Sequence, residues 1–449
     1  MKSKPRNYFG TDGVRGRANS SPMTAEEVLR LGMSAGNWFR REVGSSGRVV
    51  IGKDTRRSGY MIENALTAGL TAAGMNVLLL GPVPTPAVGL LTRSMRADLG
   101  VMISASHNPY YDNGLKFFGP DGFKPSDKVE AEIESGLSEP KNARAEGIGK
   151  AKRIDDGLGR YVEYAKTTFP KNLRLDGIRI VVDCANGACY RAAPEVLWEL
   201  GAEVVPIGVS PNGYNINEGC GSTAPGKAAS KVLETRADVG LCFDGDADRI
   251  KVIDETGNIM DGDQLLALFA ENWKRRGRLS KNTVVASILS NMGMETYLKT
   301  RGIDVKRAPV GDRYVVEEMR NGGFNLGGEQ SGHIIMLDFS TAGDGLIAGL
   351  QFLAMLVESG RSASELAATF DPVPQVVASV RFAKDADPLK DEEISSAISK
   401  AEKSIAGRGR LLVRNSGTEP LVRIMAEGSD EKEIRTMVDS LEKLIAEHK

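Results

Sequence analysis

VMISASHNPYYDNGLKFF, residues 101–118, runs an apolar segment straight into a polar one. Val101, Met102 and Ile103 read as the end of a buried strand, and Ser104, Ser106, His107, Asn108 and Pro109 follow at once, with Asn-Pro imposing a turn. A hydroxyl and an imidazole are therefore expected together at the carboxyl end of a strand. In open α/β sheets that end is where ligands bind. Asp112, Asn113, Gly114 and Lys116 then make a second polar turn before Phe117 and Phe118. Taken alone the stretch also fits a plain polar hairpin loop, so its reading rests on what surrounds it.

Upstream, a polar loop containing GTDGVRG precedes a helix whose start is marked by Thr24 with Glu27 three residues on, a capping-box pattern, and whose apolar face is Val28, Leu31, Ala35 and Phe39. Strand RVVIG (48–52), a helix through Leu66 and Leu70, strand NVLLLG (76–81) and a further helix lead to the strand that delivers Ser106. Such alternation implies a mostly parallel sheet with helices on both faces. The pattern returns in IRIVVDCANGA with GAEVVPIG, and again in TVVASILSN with GIDVKRAPVG, each with a helix closing on glycine (Gly74, Gly201, Gly302) before a second strand. From Asp371 the order changes. Pro372 and Pro374 mark a break, and a strand, a helix through Ile394, Ile398 and Ile405, two strands around RNSGTEP and a last helix through Ile434, Val438, Leu441 and Ile445 make a small α+β domain. The fold expected is α/β: three tandem related mixed α/β domains at 1–152, 153–252 and 253–369, and a smaller C-terminal α+β domain at 370–449. The charged, glycine-rich residues 138–159 are read as a connection.

The chain has 449 residues, more than one core usually supports, and its 58 basic and 59 acidic residues nearly cancel. No long block of either sign offers a footprint for nucleic acid or an anionic membrane, and no apolar run approaches the roughly 18 residues of a membrane span. A small-molecule partner and a cytoplasmic location are expected, with the oligomeric state, monomer or homodimer, left open. Cys184, Cys189, Cys220 and Cys242 follow no zinc spacing and are read as reduced packing residues.

VGLCFDGDADRIKVID, residues 239–254, sets Asp244, Asp246 and Asp248 at alternate positions between two apolar strands. Three carboxylates this close repel and raise one another's pKa unless a cation neutralises them, and all-oxygen ligation suits magnesium or calcium. An EF-hand is rejected: Glu255 falls at the twelfth position, but Arg249 stands where the sixth-position glycine belongs, and the flanks read as strands. A solvated acidic turn is the plain alternative. GGEQSGHIIM (327–336) presents Glu329, Ser331 and His333 at alternate positions of a glycine-rich loop, a set able to bond adjacent sugar hydroxyls. RNSGTEP (414–420) offers Arg414, Ser416, Gly417 and Thr418 in a tight turn able to cradle a phosphate. Gly219, Gly221 and Ala224 imitate a dinucleotide fingerprint, but no strand precedes them and Pro225 follows.

In this order, the Ser-His-Asn-Pro, Asp-Gly-Asp-x-Asp-Arg, Gly-Glu-x-Ser-Gly-His and Ser-Gly-Thr-Glu-Pro loops resemble those of the α-D-phosphohexomutases over the whole chain. FGTDGVRG, SASHNP and EQSGH are most similar to the bacterial phosphoglucosamine mutase branch of that family. The resemblance implies four domains around a central cleft and interconversion of glucosamine 6-phosphate and glucosamine 1-phosphate through a phosphoserine at Ser106. It also implies Mg²⁺ held by Asp244, Asp246 and Asp248 with the Ser106 phosphate, and glucosamine 1,6-bisphosphate, or an equivalent, as intermediate and phosphoryl primer. Sugar contacts would fall on Glu329 and Ser331, and the grip on the untransferred phosphate on Arg414, Ser416, Gly417 and Thr418. Proton transfer would fall on Lys116, His107 and His333, and charge stabilisation on Arg15 and Arg249. Asn415 and Ala224 depart from the Pro and His of many relatives. A phosphoglucomutase or phosphomannomutase, or a non-catalytic sugar-phosphate binding protein, is the alternative.

Overall fold

The Thr24–Glu27 spacing works as a cap: the Thr24 hydroxyl accepts from the Glu27 N–H at 3.2 Å and donates to its carboxylate at 2.8 Å, starting the helix Ala25–Val43. The computed structural model describes residues 8–10, 12–43, 47–382, 387–415 and 421–447, which form four sheets.

The first sheet comprises β1 (Phe9–Gly10), β2 (Gly13–Arg17), β3 (Arg48–Lys53), β4 (Asn76–Pro82), β5 (Leu99–Ile103), β6 (Asp112–Phe118) and β7 (Ala151–Arg153), in the order β1-β2-β6-β5-β3-β4-β7. The second holds β8 (Arg179–Asp183), β9 (Glu203–Ile207), β10 (Val239–Phe243), β11 (Ile250–Asp254) and β12 (Ile259–Met260), ordered β12-β11-β10-β8-β9. The third is β14-β13-β15-β16, from β13 (Thr283–Ser287), β14 (Asp304–Ala308), β15 (Leu326–Gly328) and β16 (Ile334–Met336). In all three a parallel set ends in one strand that turns into an antiparallel neighbour: β5 into β6, β10 into β11, β15 into β16. The three polar motifs occupy those three equivalent turns. The helix-closing glycines Gly74, Gly201 and Gly302 have φ of +91°, +103° and +63°, the left-handed backbone that stops a helix.

Side chains alternate across each sheet, so each has two apolar faces. Val50, Met102 and Phe118 of the first sheet join Val182, Leu241 and Ile250 of the second and Val284, Leu326 and Ile334 of the third in one continuous core. The opposite faces bury Val49, Ile51 and Val101; Val181, Cys242 and Ile253; and Val285, Ala308 and Ile335. The helix Gly345–Ser359, apolar nearly all round, is buried through most of its length in the shared core. Two details differ from the sequence expectation. Residues 138–159 are more than a connection, because β7 pairs with β4 as an edge strand. The second sheet also runs past the junction expected at 252, since β11 and β12 pair within it up to Met260. Both strands are too short to carry a readable alternation.

β17 (Gln375–Arg381), β18 (Gly409–Asn415) and β19 (Leu421–Gly428) form the last, wholly antiparallel sheet in the order β17-β19-β18, packed against the helices Glu392–Ile405 and Glu431–Glu447. Its core is its own. All four cysteines are buried and unbridged, and among the described residues no helix is long and apolar enough to cross a membrane.

Candidate active site

Ser106 is fully buried, with φ of +51°, a left-handed backbone that L residues adopt at a cost. Its Oγ donates to Asp244 Oδ2 at 2.6 Å and lies 3.3 Å from His107 Nδ1. Ser104, two residues earlier, is tied up: its Oγ donates to Asp54 Oδ2 at 2.6 Å and accepts the Ser106 N–H at 2.9 Å. The turn after β5 thus presents one serine and uses the other as a brace.

Asp244, Asp246 and Asp248 come from the turn between β10 and β11, and their ligating oxygens all lie within 4.8 Å of one another. Lys116 reaches them from β6, with Nζ 2.8 Å from both Asp246 Oδ2 and Asp248 Oδ2 and 3.5 Å from Asp12 Oδ2. Met102 pairs with Lys116 across β5 and β6, so the serine loop and the lysine belong to one hairpin. Thr85 Oγ1 donates to Asp246 Oδ2 at 2.5 Å.

The electrostatics sort these groups. Burial, reinforced by Asp248 and Asp246, pushes the Asp244 carboxyl up to about 7 against the opposing pull of Arg249. Burial works against the Lys116 ammonium as well, but Asp12, Asp246 and Asp248 outweigh it and hold the proton firmly. His107 is lowered to about 4 by burial and by Arg249 and Arg15, so it is neutral at pH 7. Burial opposes a charge on His333 too, yet Asp248 and Asp312 raise it. The two imidazoles at this cluster are therefore shifted in opposite directions, His107 toward the neutral form and His333 toward the charged one.

The turn between β15 and β16 carries Glu329, Ser331 and His333. Glu329 Oε1 accepts the Gly311 N–H at 3.2 Å, and Ser331 Oγ is buried without a partner. His333 lies 3.7 Å from Asp248 Oδ1 and 3.5 Å from Asp312 Oδ2. Gly343 makes room for it, since a Cβ there would sit 2.3 Å from the imidazole. Arg15, on β2, pairs with Asp12, and Arg249 Nε lies 4.0 Å from Asp244 and 3.9 Å from Asp248. The first three sheets thus bring Ser106, His107, Lys116, Arg15, Arg249, His333 and the three aspartates into one cluster. Arg414, on β18, stands apart: its buried Nε lacks a partner, and no hydrogen bond or ion pair joins it to the cluster among the described residues. Ser416, Gly417 and Thr418 lie outside the described residues.

Asp12, Lys124 and Asp312 were not singled out as site residues from the sequence. Lys124 Nζ, largely but not wholly buried, bridges Asp12 of the first sheet and Asp312 beside the third. GTDGVRG held a signal for Asp12; a lone lysine in GFKPSD held none.

The carboxylates suit a hard divalent cation. Asp246 Oδ1 and Asp248 Oδ1 are buried without a hydrogen-bond partner, and the Asp244 carboxyl is pushed up to about 7 despite Arg249 nearby.

Comparison with known proteins agrees with this geometry. Family profiles described as "Phosphoglucomutase/phosphomannomutase" match as alpha/beta/alpha domain I over residues 6–144, domain II over 159–257, domain III over 261–373 and the C-terminal domain over 378–444. The chain is 63% identical over 437 residues to a protein of Paracoccus denitrificans named phosphoglucosamine mutase, covering 97% of this chain and 98% of that one. A protein of the same name from a Ruegeria species is 63% identical over 439 residues, with coverage of 97% and 98%. Among solved structures, a phosphoglucomutase/phosphomannomutase family protein of Burkholderia thailandensis superposes with a TM-score of 0.80 at 23% identity, over 96% of this chain and 97% of its own. N-acetylphosphoglucosamine mutase of Aspergillus fumigatus, solved with GlcNAc-6P and magnesium, gives a TM-score of 0.64 at 18% identity, over 98% and 96%. The chain belongs to the phosphoglucomutase/phosphomannomutase family, the α-D-phosphohexomutases.

Proposed function

We propose that this chain is a phosphoglucosamine mutase, an isomerase that interconverts glucosamine 6-phosphate and glucosamine 1-phosphate. One observation carries the chemistry: a buried serine hydroxyl 2.6 Å from one of three clustered carboxylates, with a lysine 2.8 Å from the other two. The amino-sugar assignment rests on the full-length relatives at 63% identity.

Ser106 carries the phosphoryl group. Its Oγ–P bond breaks as O1 of glucosamine 6-phosphate bonds to phosphorus, giving the 1,6-bisphosphate. The bisphosphate turns end for end, its 6-phosphoryl group returns to Ser106 Oγ, and glucosamine 1-phosphate leaves. Each attacking hydroxyl gives up a proton. Neutral His107 has a free lone pair to take one, Lys116 holds a proton to return, and Asp248 and Asp312 favour a proton on His333, which would share that role. Asp244, Asp246 and Asp248, with a phosphoserine oxygen, would hold magnesium. When bound, magnesium supplies charge neutralisation for the transferring phosphoryl group. Arg15 and Arg249 add positive charge beside the same carboxylates. Glu329 and Ser331 bond the sugar, and Arg414 with the loop 416–418 grips the phosphate not being transferred. A bisphosphate, glucosamine 1,6-bisphosphate or its equivalent, primes the serine.

Intact-mass analysis after incubation with glucosamine 1,6-bisphosphate and magnesium should show one added phosphoryl group, lost in Ser106→Ala together with turnover. Normal turnover by Ser106→Ala sinks the assignment. Turnover should favour glucosamine 6-phosphate over glucose 6-phosphate and mannose 6-phosphate. Preference for either of the latter would make the chain a phosphoglucomutase or phosphomannomutase.

A further inference from the structure

The left-handed backbone at Ser106 needs something to hold it, and two side chains from different sheets do so. Arg56, just after β3, is fully buried, and each of the five N–H donors of its guanidinium finds an acceptor. Nε donates to Asp54 Oδ2 at 2.8 Å. Nη2 donates to the carbonyls of Ser106 and Asn108, both at 2.9 Å, and Nη1 to those of Pro109 and Asp112, the latter at 3.1 Å. Asp54 also holds Ser104, whose hydroxyl takes the Ser106 N–H. The peptide groups on both sides of Ser106 are thus fixed through one buried ion pair.

The second clamp comes from the second sheet's side. Asn217, itself left-handed at φ +59°, donates Nδ2 to the same two carbonyls, Ser106 O at 2.9 Å and Asn108 O at 3.1 Å. The fit leaves no slack: a Cβ on Gly245, between Asp244 and Asp246, would lie 2.5 Å from Ser106 O and 2.9 Å from Asn217 Nδ2. A serine tied only to its own sheet would be free to shift against carboxylates that belong to another. Because Arg56 and Asn217 share the Ser106 carbonyl, the serine is registered to both sheets at once.

We propose that Arg56 and Asn217 are positioning residues for phosphoryl transfer, which fix the aim of Ser106 Oγ relative to Asp244 without touching substrate. This rests on Ser106 being the phosphorylated residue. Arg56→Lys keeps the charge and loses the fork. Asn217→Gly keeps the left-handed backbone and loses only the side chain. Each variant and the parent are loaded with glucosamine 1,6-bisphosphate and magnesium, the labelled peptide is mapped, and single-turnover transfer to glucosamine 6-phosphate is timed. Misplacing a reacting group by about 1 Å costs on the order of a hundredfold, so Arg56→Lys should slow transfer about a hundredfold and Asn217→Gly about tenfold. Labelling of Ser106 and KM should change little in both, and the melting temperature little in Asn217→Gly. Transfer at the parent rate from a folded, Ser106-labelled variant overturns the role of that residue, as does a KM rise that accounts for the whole loss. If Arg56→Lys does not fold, Asn217→Gly decides. A parent label mapped elsewhere than Ser106 overturns the phosphoserine reading instead, and is seen before any variant is compared.

Discussion

Two parts of the molecule are held together by different physics. The first three sheets share one apolar core, and charged pairs cross between them: Lys116 with Asp246 and Asp248, Arg313 with Glu130, and Lys124 between Asp12 and Asp312. The fourth sheet has a separate core, and hydrogen bonds tie it to the third. Asn291 exchanges two hydrogen bonds with the Val373 backbone, Glu427 accepts from the Met292 N–H, and Arg410 donates to the Ser290 carbonyl. Apolar burial over so many residues resists sliding more than a few hydrogen bonds at a proline-marked joint. Chemistry is concentrated where the core is shared, and Arg414 sits on the part with a core of its own.

Asp246→Asn strikes the part with the shared core and should have the largest effect. It removes a charge bonded to both Lys116 and Thr85, and kcat at saturating magnesium should fall about 10²- to 10³-fold with the melting temperature little changed. A loss confined to stability would make the carboxylates structural. Asp344 tests the shared core itself. It accepts from the Ile347 N–H, capping the central helix, and from the Tyr161 hydroxyl, and burial pushes its carboxyl up to about 7. Between the ordinary value of 3.8 and about 7 the folded state keeps a proton that the unfolded chain has released. Its stabilisation is therefore full below about pH 4 and lost as pH rises through 7. Asp344→Asn should flatten the urea stability measured from pH 5 to pH 8 by on the order of a few kcal/mol. An unchanged slope would remove Asp344 as its source.

Arg414→Ala addresses the separately cored part. A charge-assisted contact to phosphate is lost, so KM should rise about tenfold and free bisphosphate should accumulate, with Ser106 still able to take a phosphoryl group. If neither changes, the phosphate grip lies elsewhere. The smallest effect is expected at the joint. Asn291→Ala removes the two bonds to Val373, and the last domain should unfold separately in calorimetry, destabilised by about 1 kcal/mol. A single transition shifted as a whole would show that the two parts are one cooperative unit.

Much of this contrast could be read from the chain. Alternating strands and helices, recurring closing glycines and the prolines at 372 and 374 announce where the architecture changes, because they act locally through backbone geometry. Ser106, the aspartates, His333 and Lys116 stand in short motifs, where neighbouring residues signal one another. Lys124 and Asp312 are 188 positions apart and meet only in the folded chain. Arg56 is equally silent in the sequence: DTRRSG has the look of a solvated loop, and nothing in it tells that one arginine is wholly buried while the next is exposed. β7 and β12 escaped notice because strands of three and two residues have no period to recognise.

The hairpin of β5 and β6 also sets a rule for insertions and deletions. Lys116 and Phe118 point to one side of β6, toward the carboxylates and the shared core, while Leu115 and Phe117 point to the other. Gaining or losing one residue between 104 and 111, if taken up as a slip of β6 against β5, would turn every side chain over. An ammonium would then enter an apolar interior and a phenyl ring would face three carboxylates. Point substitutions in the loop threaten only its chemistry; a change in its length by one threatens the fold as well.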